Sequence, residues 1–213
     1  MARIAARIGA ADTARRMAAT QADGMDETDE ALMLAYAGGD AGAFGRLYRR
    51  HKGPTYRYLL RHTSQAAVAD ELHQDVWMRV VRARERYAAD ARFTTWLYTL
   101  ARNRLVDHWR SRRDSRTTSL DEEAVTGLDG LPIDADCDGD DPLRAAIAAQ
   151  HARRLQDAVA ALPGAQRDAF LLHVEAGLVL DDIARLASAP VETIKSRLRY
   201  AYAKLRTALE DLR

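Results

Sequence analysis

Ile183–Arg206 reads IARLASAPVETIKSRLRYAYAKLR. Apolar residues recur at helical spacing on both sides of Pro190, and basic residues gather just after it. Proline has no amide N–H and a fixed φ, so it suits the first turn of a helix and not its interior. The spacing therefore predicts a short helix, a tight turn and a second helix, the helix-turn-helix arrangement. Ile183, Ala184, Leu186, Ile194 and Leu198 are the inward positions, and Asp181 or Asp182 is expected to cap the short helix. Val191, Glu192, Thr193, Lys195, Ser196, Arg197 and Arg199 are left for solvent or for a DNA groove. Arginine and lysine bind guanine edges or phosphate, and threonine and serine reach either. The plainer alternative is a basic surface on a helical hairpin.

The remainder of the chain says what such a unit would be used for. With 213 residues there is room for one large or two small domains. The 32 basic side chains nearly cancel the 31 acidic ones, so net charge alone gives no hint of nucleic acid. The distribution does. Ala101–Arg116 (ARNRLVDHWRSRRDSR) holds six arginines and two aspartates, whereas Thr117–Pro142 carries nine acidic residues and no basic one. The acidic stretch lacks helical periodicity and cannot bury enough apolar surface to offset ordering, so it reads as a flexible linker. A single cysteine, Cys137, excludes an internal disulfide and a multi-cysteine zinc site, and points to a reducing cytoplasm. No apolar run approaches the roughly 20 residues of a membrane span. The first 28 residues read as a disordered extension, with an Ala/Arg-rich transit peptide as the competing reading.

The chain is thus expected to be all-α, with two small helical domains joined by an acidic flexible linker. The boundaries are 1–28 for the extension, 29–114 for the first domain, 115–142 for the linker and 143–213 for the second domain. In the first domain, helices are expected over 29–37, from Asp40 to about Leu60 with Pro54 bending or restarting it, over 65–86 and over 93–113. Leu72, Val76 and Val80 mark one buried stripe and Phe93, Leu97, Ala101 and Leu105 another. In the second domain a helix from Leu143 to Leu162 is expected to bury Ile147, Leu155, Val159 and Leu162. The helix from Phe93 pairs an aromatic front half with a basic back half, suited to unstacked bases and to phosphates. Trp96, Tyr98 and Trp109 are open between those bases and the core.

Three segments in this order resemble the bacterial sigma-70 family, in its extracytoplasmic-function (ECF) type. ADELHQDVWMRVVRAR (69–84) is similar to the segment that grips the polymerase clamp. RFTTWLYTLARNRLVDHWRSRR (92–113) is similar to the promoter-melting and −10 recognition helix, and Leu162–Arg206 to the −35-binding domain. The resemblance implies polymerase contacts from Asp70, Glu71, Gln74, Asp75, Val76 and Trp77. It implies −10 contacts and melting from Arg86, Tyr87, Asp90, Arg92, Trp96, Arg102, Asn103, Arg104, His108 and Arg110, with a flipped base received by the loop of residues 86–92. It implies major-groove contacts at −35 from the seven residues of Val191–Arg199 named above. The implied partners are the clamp and flap of core RNA polymerase, promoter DNA and an anti-sigma factor, in a bacterial cytoplasm, with no membrane and no small-molecule substrate. The linker would run near the polymerase active centre, as an RNA mimic or as an inert tether. Relatives usually place glycine at the turn where this chain has Ser188, and a bulkier apolar residue at Ala187.

Competing patterns are weaker. Asp134, Asp136, Asp138 and Gly139 are spaced like the start of a calcium loop, but the closing glutamate is replaced by Ala145. No phosphate loop, nucleophile elbow or metal-spaced histidine pair occurs, so neither an enzyme nor a cofactor is expected. The alternative function is a stand-alone helix-turn-helix regulator that binds duplex operator DNA without polymerase.

Overall fold

The computed structural model describes residues 27–116 and 142–210. Its eight α-helices are α1 (Asp29–Ala37), α2 (Ala41–Thr63), α3 (Ala66–Ala83), α4 (Phe93–Arg116), α5 (Pro142–Ala160), α6 (Gly164–Val174), α7 (Leu180–Ala187) and α8 (Val191–Ala208). A 3-10 turn, Arg84–Arg86, follows α3. No strand occurs among the described residues.

Local chemistry sets the helix ends. The Thr28 hydroxyl accepts from the Ala31 N–H at 3.2 Å, and Asp29 and Glu30 follow in the first turn, where negative charge favours the helix N-terminus. Gly39 takes φ +105° and terminates α1, and Asp40 then caps α2 by accepting from Gly42 N–H at 2.8 Å. Pro54 removes one hydrogen bond inside α2 without ending the helix.

The chain divides into two compact units. The described part of the first comprises residues 27–50 and 84–93. Leu32, Met33 and Leu47 are its fully buried aliphatics, and the Tyr36 and Phe44 rings lie 4.8 Å apart. Arg50 ties the entry to α1 in place, donating to the Glu27 carbonyl at 2.8 Å and to Asp29 at 2.9 Å.

The second unit comprises residues 51–83 and the described residues from 94 onward. One part of its core holds Tyr58, Leu59, Leu72, Val76, Val80, Leu97, Tyr98 and Ala101, with Tyr58 and Tyr98 edge to face at 5.2 Å. The other part is built where α8 packs on α6 and α7, around Leu171, Leu172, Ile183, Ile194 and Ala201. Burying each such aliphatic side chain contributes about 1.5–3 kcal/mol, so these stripes dominate the fold's stability.

Two expectations are corrected. Ile147 and Leu155 remain exposed at 44% and 39%, because only the end of the α5 face, Val159 and Leu162, meets other helices. Neither Asp181 nor Asp182 caps α7. Val179 holds the cap position, and both aspartates fall inside the first turn, where the Asp182 carboxylate is engaged by Thr95 and Arg185. The calcium-like pattern at Asp134–Gly139, Cys137 and the acidic linker lie outside the described residues.

Candidate nucleic-acid and polymerase interface

The helix-turn-helix forms as its spacing predicts. Ser188 stands at φ +49°, and the chain closes over it with Ala189 N–H donating to Ala184 O (3.0 Å) and Ser188 N–H to Arg185 O (3.2 Å). This pair of bonds is a Schellman closure, which needs a left-handed residue and usually takes glycine. Serine adopts the same turn here, so the departure from the family pattern is absorbed in the backbone. The turn and the flanking helices border an open cleft lined by Asp181, Arg185, Ser188, Pro190 and Val191. On α8, Glu192, Lys195 and Arg199 are exposed, while Val191, Thr193, Ser196 and Arg197 are half-buried. Lys195 pairs with Glu192 at 2.7 Å, and this hydrogen bond raises the ammonium pKa above its ordinary value. The Arg199 guanidinium lies 5.3 Å from the Tyr200 ring centroid.

On α3 the residues expected to meet polymerase divide sharply. Asp70, Glu71 and Gln74 are exposed and Asp75 is half-buried. Val76 and Trp77 are core residues at 0% and 5% exposure, which corrects their reading as a contact surface: they hold the helix in place from beneath. The Trp77 indole N–H donates to His73 Nε2 at 3.0 Å.

On α4, Trp96, Asn103 and Arg110 recur every seven residues and so share one face. Tyr98 is core, whereas Trp109 is 40% exposed, edge-on to the His108 ring at 5.2 Å and with Arg112 over its ring at 5.9 Å. Burial, then the nearby Arg112 and Arg104 charges, lowers the His108 pKa and favours a neutral imidazole. Arg104 is held by Asp75 at 2.7 Å and Glu71 at 3.2 Å. Arg102 is held by Asp168 of α6 at 3.0 Å.

In the first unit, Arg86, Asp90 and Arg92 are exposed and Tyr87 is half-buried, its ring edge-on to Phe93. Burial, then Glu30 and Asp29, pushes the Tyr87 phenol up to about 12, so it stays protonated. Glu30 accepts from the Phe93 N–H at 2.6 Å and fixes the end of this loop where α4 begins. Glu30 gave no signal in the sequence, because a carboxylate 63 residues away capping a helix is a tertiary contact. Tyr58, Asp168 and Glu175 were missed for the same reason, and Asp182 was read only as a helix cap.

No helix is long and apolar enough to cross a membrane, and no group of three metal-ligating side chains occurs among the described residues.

A two-part helical chain with a helix-turn-helix at its end and a mixed aromatic and basic helix before it defines a class of DNA-binding transcription proteins. Comparison with known proteins makes this specific. Residues 47–115 match Sigma-70 region 2 and residues 152–205 match Sigma-70, region 4, together more than half of the chain. The RNA polymerase sigma-H factor of Pseudomonas aeruginosa is 29% identical over 190 residues, covering 87% of this chain and 96% of that protein. The ECF RNA polymerase sigma factor SigK of Mycobacterium tuberculosis is 29% identical over 182 residues, covering 85% and 93%. CnrH, solved in complex with the cytosolic domain of CnrY, shares the fold with a TM-score of 0.59 at 21% identity, covering 86% of this chain and 97% of that one. The sigma factor RpoE of Bartonella quintana, solved with the anti-sigma factor NepR, does so with a TM-score of 0.57 at 20% identity, covering 78% and 96%. The chain belongs to the sigma-70 family of RNA polymerase sigma factors, in its ECF type. Sigma factors are initiation factors and not enzymes.

Proposed function

We propose that this chain selects promoters for a bacterial RNA polymerase, reading a −10 and a −35 element and assisting strand separation between them. Residues 29–114 act as the module for core and −10 binding, 143–213 as the −35 module, and 115–142 as the tether. Asp70, Glu71, Gln74 and Asp75 meet the polymerase clamp, with the flap taken by the second module. Arg86, Tyr87, Asp90 and Arg92 receive a flipped base, while Trp96, Asn103, His108 and Arg110 follow the melted strand. Single-strand contacts of this kind repay the cost of unstacking. Arg102 and Arg104 are engaged by carboxylates and reach DNA by exchanging those for phosphates. Thr193, Lys195, Ser196, Arg197 and Arg199 enter the major groove at −35, with Val191 and Glu192 at its edge.

The observation that carries the reading is the order of surfaces along one chain. An exposed acidic patch on α3 precedes the aromatic and basic α4, and a basic recognition helix follows a Schellman turn. A regulator acting alone has no use for the first of these. CnrH and RpoE are each solved with a restraining or cytosolic partner, and an anti-sigma factor is proposed here by the same likeness. Work with polymerase places the protein in the cytoplasm.

The test is run-off transcription with purified core polymerase on the DNA upstream of this protein's own gene. A discrete start site that requires the protein is expected. A protein that shifts duplex DNA, yet neither co-elutes with core nor directs a start, would be a stand-alone regulator.

A further inference from the structure

Glu192 is the only acid among the seven residues of α8 assigned above to the −35 groove. Phosphates repel a carboxylate, so an acid on a recognition helix ordinarily weakens DNA binding. Ile194, Leu198, Ala201 and Leu205 form the buried stripe of α8. Glu192, Ser196 and Arg199 recur at helical spacing on the opposite side, the one farthest from the core. Glu192 is the second residue of α8 and its side chain is 82% exposed. At that end a recognition helix reaches base edges. Its carboxylate accepts from Lys195 Nζ, one turn later, at 2.7 Å. An exposed pair of this kind contributes little to stability, so the helix does not depend on it.

The chemistry of the groove decides what this pair fits. An ionised carboxylate can only accept hydrogen bonds. Among the base edges of the major groove only cytosine N4 and adenine N6 donate, and adenine N6 lies beside the N7 acceptor, which repels a carboxylate. Cytosine has no such neighbour on its own base. In a C·G pair its amino group is bonded to guanine O6, about 2.9 Å away. An acceptor and a donor held 2.7 Å apart therefore match the two edge atoms of a single base pair. We infer that Glu192 and Lys195 together read one C·G pair of the −35 element, the carboxylate on cytosine N4 and the ammonium on guanine O6. The inference rests on the assignment of α8 to the major groove, and it moves Glu192 from the edge of the groove onto a base pair. The carboxylate keeps its ammonium beside it there, which offsets repulsion by the phosphates.

The test is run-off transcription by the full chain with core polymerase, on templates randomised across the −35 region, with the transcribed templates sequenced. The same duplexes are presented to the full chain without polymerase, and the bound fraction is sequenced. The wild-type chain is expected to favour C·G about tenfold at one position. Glu192→Gln should move that preference to adenine, which glutamine meets at N6 and N7. Lys195→Met should weaken base preference at the same pair and at no other. Unchanged preferences in Glu192→Gln, or a yield that rises equally on every template, overturn the inference. So do Glu192 and Lys195 variants that act on different base pairs. A start site that appears whatever the −35 sequence overturns it too, and leaves the sigma-factor reading in place. A C·G preference shown by the chain alone, with no start when core is added, upholds the base reading and overturns the sigma-factor one. If no sequence is enriched in either arm, both fall.

Discussion

The Tyr58 phenol, fully buried beneath α6, donates a 2.9 Å hydrogen bond to the Asp168 carboxylate 110 residues further along the chain. Burial first, then the Asp168 charge, holds the phenol pKa well above its ordinary 10, so the hydroxyl remains a donor throughout the accessible pH range. The same carboxylate also accepts from Arg102 Nε at 3.0 Å.

Tyr58→Phe keeps the ring in its edge-to-face contact with Tyr98 and deletes only the hydroxyl. A hydrogen bond to a charged acceptor is worth about 1.5–3 kcal/mol, and Arg102 leaves Asp168 partly satisfied. A loss of about 1–2 kcal/mol is expected, read as a lower midpoint in urea unfolding with an unchanged slope. A midpoint equal to wild type would mean that the bond contributes nothing.

His62 makes the fold sensitive to acid. Burial, opposed by Asp168 and reinforced by Arg167 and Arg102, lowers its pKa to about 4. The unfolded value is about 6.5, so the neutral form is favoured in the folded chain and its stability is complete above that pH. As pH falls from 6.5 towards 4 the unfolded state binds the proton first, and stability is lost, by about 2 kcal/mol at pH 5. Thermal melts at pH 7 and pH 5 check this, with His62→Gln as the variant whose melting point should move less between them.

Ser188→Gly should stabilise the turn. A non-glycine residue in the left-handed region costs about 1–2 kcal/mol, while glycine costs about 0.4–1 kcal/mol through the unfolded chain. The net gain expected is about 0.5–1 kcal/mol, seen as a melting point a few degrees higher. Because the turn geometry is already that of a glycine, −35 promoter use should not change.

On α3, burial separates two kinds of variant. Trp77→Ala opens a cavity and is expected to cost about 3–5 kcal/mol, so any loss of polymerase binding would follow from unfolding. Asp70→Asn/Gln74→Ala changes only exposed groups and should leave the melting point in place while weakening co-elution with core. Equal melting points for both variants would overturn this division.

The sequence and the structure agree most closely where the information is local. Periodicity placed the helices of the first domain to within a few residues, since buried stripes such as Leu72, Val76 and Val80 repeat at helical spacing. Asp40 announced itself as a cap by type and position. Asp182 also looked like a cap, but a hydroxyl from a helix 87 residues earlier took its carboxylate, which no local pattern records. Val76 and Trp77 show the converse limit: likeness to a binding segment marks a helix, not which of its sides is wet. Ile147 and Leu155 kept helical spacing while the helix that would cover them is not there among the described residues.

The guanidinium of Arg104 is shared property. Glu71 and Asp75 hold it from α3, the helix proposed to meet polymerase, while it projects from α4, the helix proposed to meet the promoter. A polymerase group that competes for either carboxylate loosens the arginine, and a phosphate that captures the arginine releases the carboxylates. Thermodynamic linkage makes these two effects equal in size. Whichever macromolecule arrives first, it lowers by the same amount the work left for the second, and no separate signal has to pass between the two helices.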